Sequence, residues 1–215
     1  MKAMLSPRRN RAALRRLCRR LRREPKGVAA IEFSFLALPM VAVYFGVSQV
    51  ASGVMIDRKV TQLTRSLADL TSQAGSIPDT EMTNIFNAAQ TVMAPYTNPD
   101  PAMSITSVVI DANRRVTVCW SESRNGGRSY DAGKSFPGLP EGLRIANTSV
   151  IVASASYEYD VVFKNPLNKT MTTISIGNAP VFMRPRIGQI SGGIEQVARV
   201  KKGSGNTTTT TVCSG

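Results

Sequence analysis

Residues 28–55 read VAAIEFSFLALPMVAVYFGVSQVASGVM and contain a single charged side chain, Glu32. Phe33 to Val50 has no charge at all. At about 1.5 Å rise per residue that stretch spans roughly 27 Å, close to the thickness of a bilayer's hydrocarbon core. It predicts a transmembrane helix. A secretory signal peptide is the competing reading, but its apolar stretch would be about 7 to 15 residues and would end at a small-residue cleavage site. The apolar stretch here is longer, and Ala51-Ser52-Gly53 matches such a site only loosely.

The charge on either side of the span sets its direction. The whole chain of 215 residues has 27 Lys+Arg, 14 Asp+Glu and no His, a formal charge of +13. Residues 1–26 hold eleven of the basic side chains and one acid, Glu24; 16 basic and 13 acidic residues remain for positions 27–215. The basic excess therefore belongs to the N-terminal arm. A Lys/Arg-rich flank stays in the cytoplasm, so the part after the span lies outside. The chain then divides into a basic cytoplasmic leader (1–27), a transmembrane helix (28–55), an outer α+β domain (56–186) and a flexible Gly/Ser/Thr-rich tail (187–215).

Composition narrows the chemistry. Without histidine there is no Ser-His-Asp or Cys-His nucleophile pair and no imidazole metal ligand. Cys18, Cys119 and Cys213 are too few for a four-thiolate site. No constellation of catalytic residues, cofactor motif or metal-ligand set stands out, so a non-enzymatic role is expected. Glu158 and Asp160, two apart on a strand, read as the wet face of that strand rather than a carboxylate dyad. The basic arm could set Arg8, Arg11, Arg15, Arg19 and Arg22 along one side of a helix and grip phosphates. Without a recognition domain on the same side of the membrane, no nucleic-acid partner is expected.

Glu32 is the informative residue of the span. A carboxylate in an apolar helix costs on the order of 2.5 to 3.5 kcal/mol at the bilayer centre, so it tends to have a function. Lys26-Gly27 followed by Val28-Ala29-Ala30-Ile31-Glu32-Phe33 resembles the processing site of type IV pilin-like proteins. The stretch is similar to the N-terminal signature of TadE-like proteins, minor pilins of the tight-adherence secretion apparatus, through Gly27, Ala30, Glu32, Phe33, Pro39 and Gly46. The major pilin of that system typically carries Tyr after the Glu, where this chain has Phe33. The resemblance covers about residues 26–55. It implies a bacterial inner-membrane protein with a periplasmic head, cleaved after Gly27 by a prepilin peptidase so that Val28 becomes the new N-terminus. It implies other pilins and assembly proteins as partners, besides the lipid bilayer. In a filament Glu32 would meet the free amine of a neighbouring subunit. An uncleaved, signal-anchored periplasmic binding or enzymatic domain is the alternative. Pro39 removes a backbone donor inside the span and favours a kink.

Past the span, Ile56, Val60, Leu63, Leu67 and Leu70 recur at helical spacing, with charges on the other faces. This predicts one helix from about 29 to 73. Ile77-Pro78-Asp79-Thr80-Glu81 reads as a second helix start, with Ile85, Phe86, Ala89, Val92 and Met93 on one face. The period then changes to two. Strands are expected at 104–110, 116–121, 149–163, 172–176 and 181–183, with a loop at 124–142. The fold class is α+β, a long N-terminal helix packed on an antiparallel sheet in a pilin-like head.

Cys119 and Cys213 fall on the outer side of the span, where an oxidising compartment would let them bond; two separate thiols are the other reading. Cys18 lies in the leader and is expected to stay reduced. Arg184-Pro185-Arg186 and Lys201-Lys202 read as solvated charge. Asn147, Asn168 and Asn206 begin sequons that matter only in a eukaryotic secretory protein.

Overall fold

A computed structural model describes residues 25–160, 173–177, 179–203 and 207–213. The leader's basic run, Cys18, Asn168, Asn206 and the far end of the 149–163 strand lie outside the described residues. The chain forms two units, Met1–Ala51 and Ser52–Gly215.

The expected first helix is present as α1, Pro25–Ser72, and runs through Pro39 without a break. Within the second unit its turns bury Ile56, Val60, Leu63 and Leu67, as the spacing predicts. The stripe drifts at its end. Leu70 is 36% exposed, and Ala68 and Thr71 are buried instead. The cause is the 3.6-residue period, which rotates the face away from a 4-3-4-3 pattern. The buried hydroxyls of Thr64 and Thr71 bond to the carbonyls of Val60 and Leu67, at 2.8 and 2.7 Å, so their burial leaves no orphan donor.

A short strand, β1 (Ser76–Pro78), leads into α2 (Asp79–Thr91), with Pro78 before the first turn and Asp79 and Glu81 inside it. Ile85, Phe86 and Ala89 bury its inner face. The cation of Lys59 donates to the carbonyls of Val92 and Ala94 (3.1 and 2.6 Å), satisfying groups that the helix end leaves open.

The main sheet is antiparallel: β2 (Ala102–Ile110), β3 (Val116–Arg124), β4 (Thr148–Asp160), β5 (Thr173–Gly177) and β6 (Val181–Met183). The order is β3-β2-β4-β5, with β6 also paired to β4. Both faces of its centre are covered. Met103, Ile105, Ile151, Ala153 and Ala155 meet the two helices in one core. Val108, Ile110, Val116, Val118, Val150 and Val152 form a second core with Phe136 and Leu139 from the loop after β3. That loop is therefore an apolar cover, and it explains why β2 is buried along nearly its whole length. Burial of each such aliphatic side chain contributes on the order of 2 kcal/mol.

The described residues of the C-terminal stretch, 187–203 and 207–213, depart from the flexible tail expected for 187–215. They contain a hairpin, β7 (Gln189–Ser191) and β8 (Ile194–Gln196), then β9 (Ala198–Lys202) and β10 (Thr208–Thr211). Gly192 and Gly193, both at positive φ, supply the two-residue turn that suits a right-twisted hairpin. β9 pairs in parallel with β1 and antiparallel with β10, and Ile194, Val197 and Ala198 enter the helix-side core. The Gly/Ser/Thr content hid a β-branched run, Thr208–Thr211, which fits a strand edge well once a partner strand is present.

Candidate functional site

The residues expected to act at the membrane fall in the first unit. Gly27, Val28, Glu32 and Phe33 occupy the first turns of α1. Val28 and Glu32 are four apart, hence one turn apart on one face. Their surroundings are open: Val28, Phe33 and the large apolar side chains up to Val50 are exposed. Ser34 Oγ bonds back to the carbonyl of Ala30 at 2.8 Å, so this hydroxyl adds no unmet polarity to the apolar surface. Pro39 lies on the same exposed helix and leaves the carbonyl of Phe35 without its intrahelical donor. By length and composition α1 is able to cross a membrane as a single span near the N-terminus.

Cys119 and Cys213 lie in the second unit. The structure joins them in a disulfide across a separation of 94 residues. The position of Cys119 follows from an irregularity. Ser107 faces Trp120 while Val108 faces Val118, so Cys119 is an extra residue in β3. Such a bulge turns two consecutive side chains to one face. Cys119 and Trp120 accordingly both enter the helix-side core, where Trp120 Nε1 donates to the carbonyl of Val197 at 2.9 Å. Gln196, fully buried, completes the clasp. Its Nε2 donates to the carbonyl of Cys213 (2.6 Å), and its Oε1 accepts from the amide of Cys213 (2.9 Å).

Arg199 forms a second junction. Its side chain is only 4% exposed and pairs with Asp79 at 2.6 Å and Glu122 at 3.2 Å, tying β9 to the start of α2 and to β3. The backbone amide of Lys202, and then the Arg199 guanidinium, hold the Asp79 carboxyl below its ordinary range. Two charges expected to be solvated are engaged as well: Lys201 pairs with Glu122 at 2.7 Å and Arg186 with Asp69 at 2.7 Å.

Sequence reasoning missed Gln196 and Arg199. No local signal marked them: along the period-two alternation Arg199 shares a face with Glu195 and Lys201, and Gln196 is one polar residue in a Gly/Ser/Thr-rich stretch. Glu158 and Asp160 stay on exposed positions of β4, with Asp160 accepting a bond from Thr173 at 2.7 Å. Comparison with protein-family models, curated proteins and solved structures finds no match.

Proposed function

We propose that this chain is a minor pilin or pseudopilin of a tight-adherence, type IV-like pilus, held in the bacterial inner membrane with its head in the periplasm and acting in pilus assembly and surface adherence. The observation that carries the reading is Gly27 followed five residues later by Glu32, the sole charge at the head of an exposed apolar helix. A prepilin peptidase hydrolyses the Gly27–Val28 peptide bond, leaving a carboxylate on Gly27 and a new amine on Val28. Glycine suits the cut because a residue without a side chain lets the peptidase approach the backbone closely. Removal of the leader takes away eleven basic side chains and one acid, a net charge of +10, and leaves a chain of near-neutral balance.

The new amine and Glu32 are then opposite charges on one helical face. Between neighbouring subunits, out of water, each neutralises the other; either one alone would be a desolvated charge. The exposed apolar side chains around them suit lipid before assembly and other pilin helices afterwards. No catalytic step is assigned to the head. Mass spectrometry of the membrane-purified protein is expected to find Val28 at the N-terminus. An intact chain beginning at Met1, in cells with active peptidase, overturns the processing. Glu32→Ala is expected to insert in the membrane and fail to assemble, and normal piliation in that variant would remove the assigned role.

A further inference from the structure

The outer face of the main sheet carries a furrow that the pilin reading does not use. Two adjoining hollows of about 180 and 210 Å³ share Arg128 and Ser154. The floor is made of hydroxyls, Ser104, Thr106 and Ser154 along β2 and β4, with Ser156 at its end. One wall is aromatic. Tyr130 stands edge-on to Phe136 (centroids 4.9 Å apart), and the Arg128 guanidinium lies 5.0 Å over the Tyr130 ring. The wall is held close to the floor at Gly127, where an added Cβ would collide with the carbonyl of Met103.

Thr106 is committed to Ser121 at 2.8 Å, whereas two other donors at the furrow remain open. Ser104 and Ser154 share one hydrogen bond of 2.7 Å, so two hydroxyls with two protons leave one O–H free at the furrow. Arg128 makes no hydrogen bond or ion pair among the described residues, and its five N–H groups remain available. Stacking on Tyr130 fixes the guanidinium plane and lowers the cost of ordering it around a ligand.

We propose that this furrow binds an acidic sugar, a uronic acid unit of a glycan, with the carboxylate on Arg128. The planar guanidinium matches a carboxylate bidentately. Ser154 and Ser156, both half-buried, match the ring hydroxyls, and half-buried Tyr130 and exposed Pro180 offer an apolar flank to the C–H face of the ring. The hollows are small for a drug-sized molecule and suit one monosaccharide unit each. A bare phosphate would use the cation and leave the hydroxyl floor and the aromatic wall without a role. The site lies wholly in the second unit and does not depend on cleavage at Gly27.

Saturation-transfer NMR on the full chain in lipid nanodiscs, with D-glucuronate as probe, tests it. Glucuronate signals are expected to saturate in the millimolar range. Arg128→Ala should weaken binding by about tenfold, the loss of one charge-assisted pair. Ser154→Ala should weaken it less, and Arg115→Ala, on the exposed hairpin turn, should leave it unchanged. Arg128 is exposed and unpaired, so an unaltered thermal transition will show that its variant is folded. Absence of glucuronate signals, equal binding by Arg128→Ala, equal binding of uncharged methyl glucoside, or competition by inorganic phosphate at equal concentration would each overturn the proposal.

Discussion

Breaking the Cys119–Cys213 bond should cost the head a large share of its stability. The bond closes a separation of 94 residues. In the chain-entropy account a loop of that length restricts the unfolded chain by about 4.7 kcal/mol, and measured values for native disulfides fall at about 2 to 5 kcal/mol. The segment it fastens is also held by Gln196, by β9–β10 pairing and by Val197 beneath Trp120, so reduction should weaken the fold without releasing the segment at once. For a unit of this size a loss of 4 kcal/mol lowers the midpoint by roughly 8 to 16 °C. The assay is denaturant unfolding of the full chain in detergent, with and without a phosphine reductant, followed by fluorescence of Trp120. That residue is the only tryptophan in the sequence and lies beside Cys119 at the junction it reports. A Cys119→Ser, Cys213→Ser variant should reproduce the reduced curve. If reduction and the double variant both leave the free energy unchanged within about 0.5 kcal/mol, the cross-link does not constrain this chain and the reasoning fails.

Three further outcomes are expected. Leu63→Ala should destabilise the head by about 2 to 5 kcal/mol in chemical denaturation, whereas Leu70→Ala, despite its place in the sequence stripe, should cost under about 1 kcal/mol because its side chain is already 36% exposed. Asp79 has a lowered folded-state pKa, so its contribution is present above its unfolded value, near 3.8, and is lost as pH falls through the folded value. Asp79→Asn should therefore lower stability at neutral pH and flatten the acid limb of the stability–pH curve below about pH 4, and an unchanged limb would refute the Asp79–Arg199 coupling. Gly127→Ala should push the loop off β2 and cost about 1 to 3 kcal/mol, read as a lower thermal midpoint.

The two tail residues that matter most show why part of the molecule was not legible. Arg199 reads in sequence as one more basic residue near Lys201-Lys202 and becomes a buried ion pair only because β9 runs beside β1 and past β3. Gln196 reads as one more side chain for water, yet the return of residue 213 gives its amide both of its bonds. The pairings of Arg199 join positions 77 and 120 residues apart and those of Gln196 positions 17 apart, beyond any local period.

What the sequence alone determined is whatever rests on local composition and period. The apolar stretch 28–55 with its single carboxylate, the helical spacing of Ile56 to Leu67, and the β-rich runs around 104–121 and 149–160 each state their own structure. The folding of α1, α2 and the main sheet follows from these, since each buries the face its period marks. Tertiary structure alone decided the phase of β3. Val116 and Val118 point to one core and, one bulge later, Cys119 and Trp120 point to the other. An extra residue in one strand is defined only by the register of its neighbour. That shift brings Cys119 to Cys213 and turns 187–213 from an apparent tail into part of the head.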